Sequence, residues 1–196
     1  GAMKNIGFLA VKHMFPSEYK DITLVFHDVD SIPCRANMLP YATTHGTVCH
    51  YYGYEWALGG MFSIKAGDFE KTKGFPNFWG WGLEDNCMNN RCVDTGLTVN
   101  REVFFDIRDR RIRRPSDGVQ RVYSRREANI LKREDPDSLV DLTGVRFSLA
   151  EGGFVNVTAF QTKRNPEEGE FAVHDIRKGG QLKVEGGFFR KNWKMF

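Results

Sequence analysis

Ile22–Phe26 reads ITLVF, an unbroken apolar run rich in β-branched residues, and His27-Asp28-Val29-Asp30 follows it at once. A run of this kind predicts a strand buried on both faces of a sheet. Acids placed where such a strand leaves the sheet lie at the ligand-binding edge of an open α/β fold. Upstream, Asn5–Met14 carries Ile6, Leu9, Ala10 and Met14 at helical spacing, and Pro16 stops it. Gly1-Ala2-Met3 reads as an appended remnant, so the domain is taken to start at residue 4. With 16 Phe, 4 Trp and 6 Tyr in 196 residues, the chain has ample material for one sizeable core, and general disorder is excluded.

Further on, Asp68–Lys73 predicts a short helix with Phe69 and Thr72 facing inward, broken by Gly74-Phe75-Pro76-Asn77. Asp85–Val93 predicts a second helix, closed by Gly96. Leu97–Phe105 is partly strand-like, and Glu127–Arg133 continues as a helix. Leu142–Leu149 and Phe154–Phe160 alternate as strands around Glu151-Gly152-Gly153, a hairpin signal. Residues 164–196 are expected to be an extension in which Phe171–Phe196 forms another hairpin around Lys178-Gly179-Gly180. No internal repeat is present. No apolar run approaches the ~20 residues needed to cross a bilayer.

Charge narrows the function less than it first suggests. The balance is 28 Lys+Arg against 25 Asp+Glu, yet Arg101, Arg108, Arg110, Arg111, Arg113, Arg114, Arg121, Arg125, Arg126 and Arg133 crowd one stretch. A solvated basic face and a phosphate-contacting face both fit that stretch. Nothing in it matches a nucleic-acid reader motif, so no nucleic acid is expected. The four cysteines, Cys34, Cys49, Cys87 and Cys92, form no C-x-x-C pair and read as ordinary thiols. His27 and His174 read as packing or surface residues before they read as ligands.

Two constellations carry chemistry. Asp28 and Asp30, one residue apart, offer hard oxygen ligands to a divalent cation; a simple turn is the alternative. Trp79-Gly80-Trp81-Gly82-Leu83-Glu84-Asp85 delivers two aromatic faces that can stack on sugar, glycines that let a loop close, and two adjacent acids. One of those acids can take a proton as general base. An aromatic core edge with a helix-capping acid is the alternative, although a core seldom needs that combination.

Taken together, FHDVDSIP, ALGGMFSI, KGFPNFWGWGLED and, more weakly, VQRV and LVDLTGVRFSL resemble the catalytic part of the β-1,4-galactosyltransferase family, in order and with similar spacing. The resemblance implies an α/β fold of the GT-A type, a nucleotide-diphospho-sugar transferase domain with a mixed sheet over residues 4–163. That domain is expected to be truncated or minimal, because the family's first strands and part of its uridine pocket have no counterpart here. It implies an inverting, metal-dependent transferase that moves a hexose or N-acetylhexosamine from a UDP-sugar to a glycan hydroxyl.

By position, Asp28 and Asp30 match the metal motif for Mn²⁺, with Mg²⁺ also suited, and Asp85 matches the base. Glu84, Trp79, Trp81 and Gly82 match the acceptor loop, and Gly59 and Gly60 match a glycine pair beside the donor sugar. Ala57 stands where bulk limits the C2 substituent of that sugar. A gapped alignment puts Asp106 and Asp109 where the family supplies a histidine ligand. Asn86 and Leu83 replace an acid and a small residue. Animal relatives work in the Golgi lumen behind a membrane anchor. A degenerate domain that binds a glycan or a protein without turnover is the rival reading.

Overall fold

In the computed structural model of the chain, the described residues are 1–115, 120–124, 127, 137–164 and 171–175. Helix α1 (Ala2–Met14) begins at Ala2 and ends before Phe15. The central sheet is built from β1 (Thr23–His27), β3 (Thr47–Gly53), β4 (Met61–Lys65) and β5 (Thr98–Asn100) in the order β1-β4-β3-β5. A short β6 (Phe105–Asp106) also pairs with β3. β4 runs antiparallel to both β1 and β3, while β5 and β6 run parallel to β3, which makes the sheet mixed.

Strand alternation divides two cores. On one face, Phe62 and Ile64 of β4 and Val48 of β3 pack with Phe8 of α1, Phe69 of α2 (Ala66–Lys71) and Met88 and Cys92 of α3 (Glu84–Asp94). On the other, Met61, Tyr51 and Tyr52 pack with Leu39, Phe105 and Ile112. An irregularity in the register between His50 and Tyr52 accounts for two successive tyrosines serving the same side.

The apolar run 22–26 departs from expectation. It forms β1, but as an edge strand, paired among the described residues only with β4 and with Val25 42% exposed. The strands buried on both faces are β3 and β4. An apolar run reports local hydrophobicity; which strand lies next to it is set by the rest of the chain.

Beyond the sheet, β2 (Ile32–Pro33) pairs with β7 (Ile112–Arg113), and β9 (Thr143–Leu149) pairs with β10 (Val155–Gln161) as the expected hairpin. β8 (Gln120–Ser124) pairs with β11 (Phe171–Asp175). The segment read as an extension therefore supplies a strand to β8; the expected partner of Phe171–Asp175 in a hairpin lies outside the described residues. The helix expected at Glu127–Arg133 is outside them too, except for Glu127. Met88 and Cys92 bury the inner face of α3, and Gly96 at φ 77 ends it, its N–H reaching Val93 O.

Candidate active site at the sheet edge

β1 ends at His27, and the next residue is locked to a glycine turn. The Asp28 N–H donates to Gly60 O at 2.8 Å, and the Gly60 N–H donates back to Asp28 Oδ2 at 3.1 Å. Gly60 sits at φ +67, where a Cβ would meet Tyr52 O at 2.3 Å. A Cβ on Gly59 would meet Asp85 Oδ2 at 2.5 Å. Both glycines are therefore required by close approach, one to the sheet and one to the carboxylate of Asp85. The Leu58 N–H donates to Asp85 O, which ties the same turn to the start of α3.

Lys4, from the first turn of α1, completes the cluster. Its Nζ is 3.3 Å from Asp85 Oδ1 and 3.6 Å from Asp28 Oδ1. Burial works to lower its pKa, but Asp85, Asp28 and Glu84 outweigh burial and hold it above the usual lysine range. Asp85 itself is pushed up to about 7, first by burial and then by the negative charges of Glu84 and Asp28, with Lys4 opposing them. The position of Asp85 in the first turn of a helix suggests a carboxylate held ionised by the helix dipole; desolvation overrides that effect here. Next to it, Glu84 Oε2 is buried with no hydrogen-bond partner among the described residues. An unpartnered carboxylate oxygen beside a base invites a hydroxyl donor from a ligand.

The tryptophan loop is clamped from outside the motif. Glu127 accepts the N–H of Trp79 and the N–H of Gly80, both at 2.6 Å, and the Trp81 N–H donates to Val122 O of β8. Trp79 stacks on Phe160 of β10, and its indole N–H donates to Thr162 Oγ1. Arg121 lies over the Trp81 ring, 5.6 Å from its centroid. Trp79 and Trp81 remain 43% and 40% exposed, so part of each ring is open to a ligand. Gly82 at φ +103 and Leu83 at φ 73 turn the chain into α3. That left-handed turn favours glycine at position 83, and leucine there costs about 1–3 kcal/mol.

Neither Glu127 nor Lys4 was foreseen from the sequence, because each acts through contacts far along the chain. Glu127→Ala leaves two N–H groups without their acceptor, and a loss of about 1–3 kcal/mol is expected. Urea unfolding measures it, and an unchanged midpoint would show that the clamp contributes nothing.

Ala57 is buried beside Leu58, while neighbouring Trp56 is 53% exposed and stacks on Tyr54. The two remaining acids are occupied locally. Asp106 Oδ1 accepts the N–H of Arg108, and Asp109 holds Arg111 through its backbone N–H and both sides of the guanidinium. Arg111 keeps the Asp109 carboxyl down at about 2. Among the described residues, no three His, Cys, Asp or Glu side chains converge as a metal-binding group. Asp106 and Asp109 both form two-residue turns, a local use of aspartate that competes with ligand duty.

Asp28 and Asp30 do suit a hard cation. Asp28 has one oxygen on Gly60 and the other near Lys4; Asp30 has one on Ser31 Oγ and the other 3.9 Å from Arg114. Each carboxylate thus turns one oxygen toward positive charge. Of the histidines considered, among the described residues His27 reaches the carbonyl of Asp28 alone, and His174 Nε2 of β11 is buried with no partner.

Comparison with known proteins places the fold. The fold is an α/β fold of the GT-A type with a mixed sheet. It superimposes on the catalytic domain of Drosophila β-1,4-galactosyltransferase 7 in complex with xylobiose with a TM-score of 0.56 at 21% identity, covering 84% of this chain and 75% of that one. A mutant of the same Drosophila enzyme, in complex with manganese, UDP-Gal and xylobiose, matches with a TM-score of 0.56 at 20% identity over the same shares.

More particularly, part of the chain is similar in sequence to β-1,4-galactosyltransferases. Residues 43–116 match the family described as the N-terminal domain of galactosyltransferase. Pig (Sus scrofa) β-1,4-galactosyltransferase 5 is 36% identical over 99 residues, 44% of this chain and 26% of that protein. Drosophila melanogaster β-1,4-galactosyltransferase 7 is 34% identical over 107 residues, 50% of this chain and 31% of that protein. The chain thus spans about a quarter to a third of the length of these curated relatives.

Proposed function

We propose that the chain is an inverting, metal-dependent glycosyltransferase that moves a hexose or N-acetylhexosamine from a UDP-sugar to a glycan hydroxyl. The observation that carries this reading is the meeting of Asp28 and Asp85 on one ammonium, with Gly59 and Gly60 packed between them. Two acids far apart in sequence face the same small space at the edge of the sheet. The likeness to proteins described with manganese, UDP-Gal and xylobiose supports the choice of substrates.

In this reading Asp28 and Asp30 would hold Mn²⁺ or Mg²⁺, which when bound neutralises charge on a departing diphosphate. Asp85 accepts the proton of the acceptor hydroxyl as its oxygen bonds to the anomeric carbon and the bond to the diphosphate breaks. Glu84 orients the acceptor through its free oxygen, and the exposed faces of Trp79 and Trp81 stack on sugar while Gly82 lets the loop turn. Ala57 leaves space beside the donor sugar.

A base titrating near neutrality gives the reaction a definite pH dependence. Asp85, raised to about 7, is increasingly protonated below that pH and cannot take a proton in that form. Transfer therefore rises as pH increases through neutrality and levels off above it. A profile flat between about pH 5.5 and 8.5 would count against Asp85 as the base.

UDP release from UDP-galactose, followed with a glycan acceptor in Mn²⁺ and again in chelator, tests the function as a whole. Metal-dependent, acceptor-stimulated release is expected. Glycan binding with no UDP release would instead indicate a domain that binds without turnover.

A further inference from the structure

We propose that Lys4 and Arg114 are built-in counter-cations of the Asp28–Asp30 pair, which a divalent metal ion must displace, so that they set the metal concentration at which the site fills. This rests on the reading of Asp28 and Asp30 as metal-binding carboxylates. Each carboxylate commits one oxygen to a neutral donor: Asp28 Oδ2 accepts the Gly60 N–H, and Asp30 Oδ1 accepts the Ser31 hydroxyl, both at 3.1 Å. Its other oxygen faces a cationic side chain, Lys4 Nζ at 3.6 Å for Asp28 and Arg114 Nη2 at 3.9 Å for Asp30. Those outward oxygens are the ones a hard cation would use.

Lys4 is held in place by packing, and Arg114, although 43% exposed, is positioned by the strand it follows. Lys4 is 26% exposed and carries its ammonium 4.7 Å from the centroid of the Phe75 ring, on a helix that packs into the core. Arg114 directly follows β7, whose pairing with β2 places it beside the segment just after Asp30. Lys4 also has a second carboxylate, Asp85, at 3.3 Å. When Asp28 turns to a metal ion, the ammonium keeps a partner, so its displacement leaves no buried charge uncompensated. A monovalent cation a few ångströms from a divalent one repels it, and at a partly screened site this weakens metal binding by about tenfold.

The test is titration of Mn²⁺ into the donor-free protein at one pH, followed by calorimetry or by the loss of the free-ion paramagnetic resonance signal. Lys4→Met and Arg114→Gln should each bind Mn²⁺ about tenfold more tightly than the unsubstituted chain, while Lys4→Arg stays close to it. If Lys4→Met fails to fold, Arg114→Gln carries the comparison alone. Unchanged or weaker binding in the charge-removing variants, with binding still abolished by Asp30→Ala, overturns this inference and leaves the metal-site reading standing. Binding indifferent to Asp30→Ala, or none in any protein, overturns both.

Discussion

Replacing Asp85 by asparagine is expected to lower turnover by about 10²–10⁴-fold, the usual contribution of a general base. Asparagine preserves the shape that fits against Gly59 and can still offer an oxygen to Lys4. It cannot accept a proton. Stability should change by about 1 kcal/mol or less, because the ion pair with Lys4 becomes a hydrogen bond from the ammonium to an amide oxygen while Lys4 keeps Asp28. Thermal melting and a transfer assay on the same preparation separate the two effects. If Asp85 merely opened α3, the substitution would be almost silent in both. Unchanged melting together with unchanged turnover would remove Asp85 from the chemistry.

Asp30→Ala is expected to weaken Mn²⁺ binding by about a hundredfold or more, since loss of even an outer partner of a metal site costs 10–100-fold. The fold should tolerate the change. The Asp30 side chain supports only the adjacent Ser31 hydroxyl and a distant contact with Arg114, and the turn itself is held by the Ser31 N–H on Asp28 O. A turn residue and a metal ligand therefore give opposite forecasts. Mn²⁺ affinity measured by calorimetry in the two proteins decides between them, and equal affinities would sink the metal assignment.

The site was readable in sequence where its chemistry is packed into short segments. The acids after ITLVF, the glycine pair and the tryptophan loop each announce themselves locally, and the fold brings Asp28, Gly59, Gly60 and Asp85 together. What escaped is what depends on distant partners. Lys4 is one lysine on an amphipathic helix, and Glu127 one acid in a basic stretch. Neither carries a local mark of its contact with the active-site loops.

The strand ITLVF looked buried on both faces because hydrophobicity does not report which strands pair, and the chain places it at an edge. Asp106 and Asp109 show the converse. They match a ligand position by alignment, and each is also followed two residues later by an arginine whose N–H it accepts, a turn pattern that is legible in the sequence. Asp85 makes the same point for charge: its place in the first turn of a helix is visible in sequence, whereas the burial that pushes its carboxyl up is not.

The central claim is that these carboxylates transfer a sugar rather than merely bind one. Nuclear magnetic resonance of the product formed from UDP-galactose and a glycan acceptor in Mn²⁺ tests it most directly, because the anomeric coupling reports the stereochemistry of the new bond. The account predicts a β-linked product from the α-linked donor, formed in Mn²⁺ and absent in chelator. An α-linked product, or saturable binding of donor and acceptor with no product at all, would contradict it.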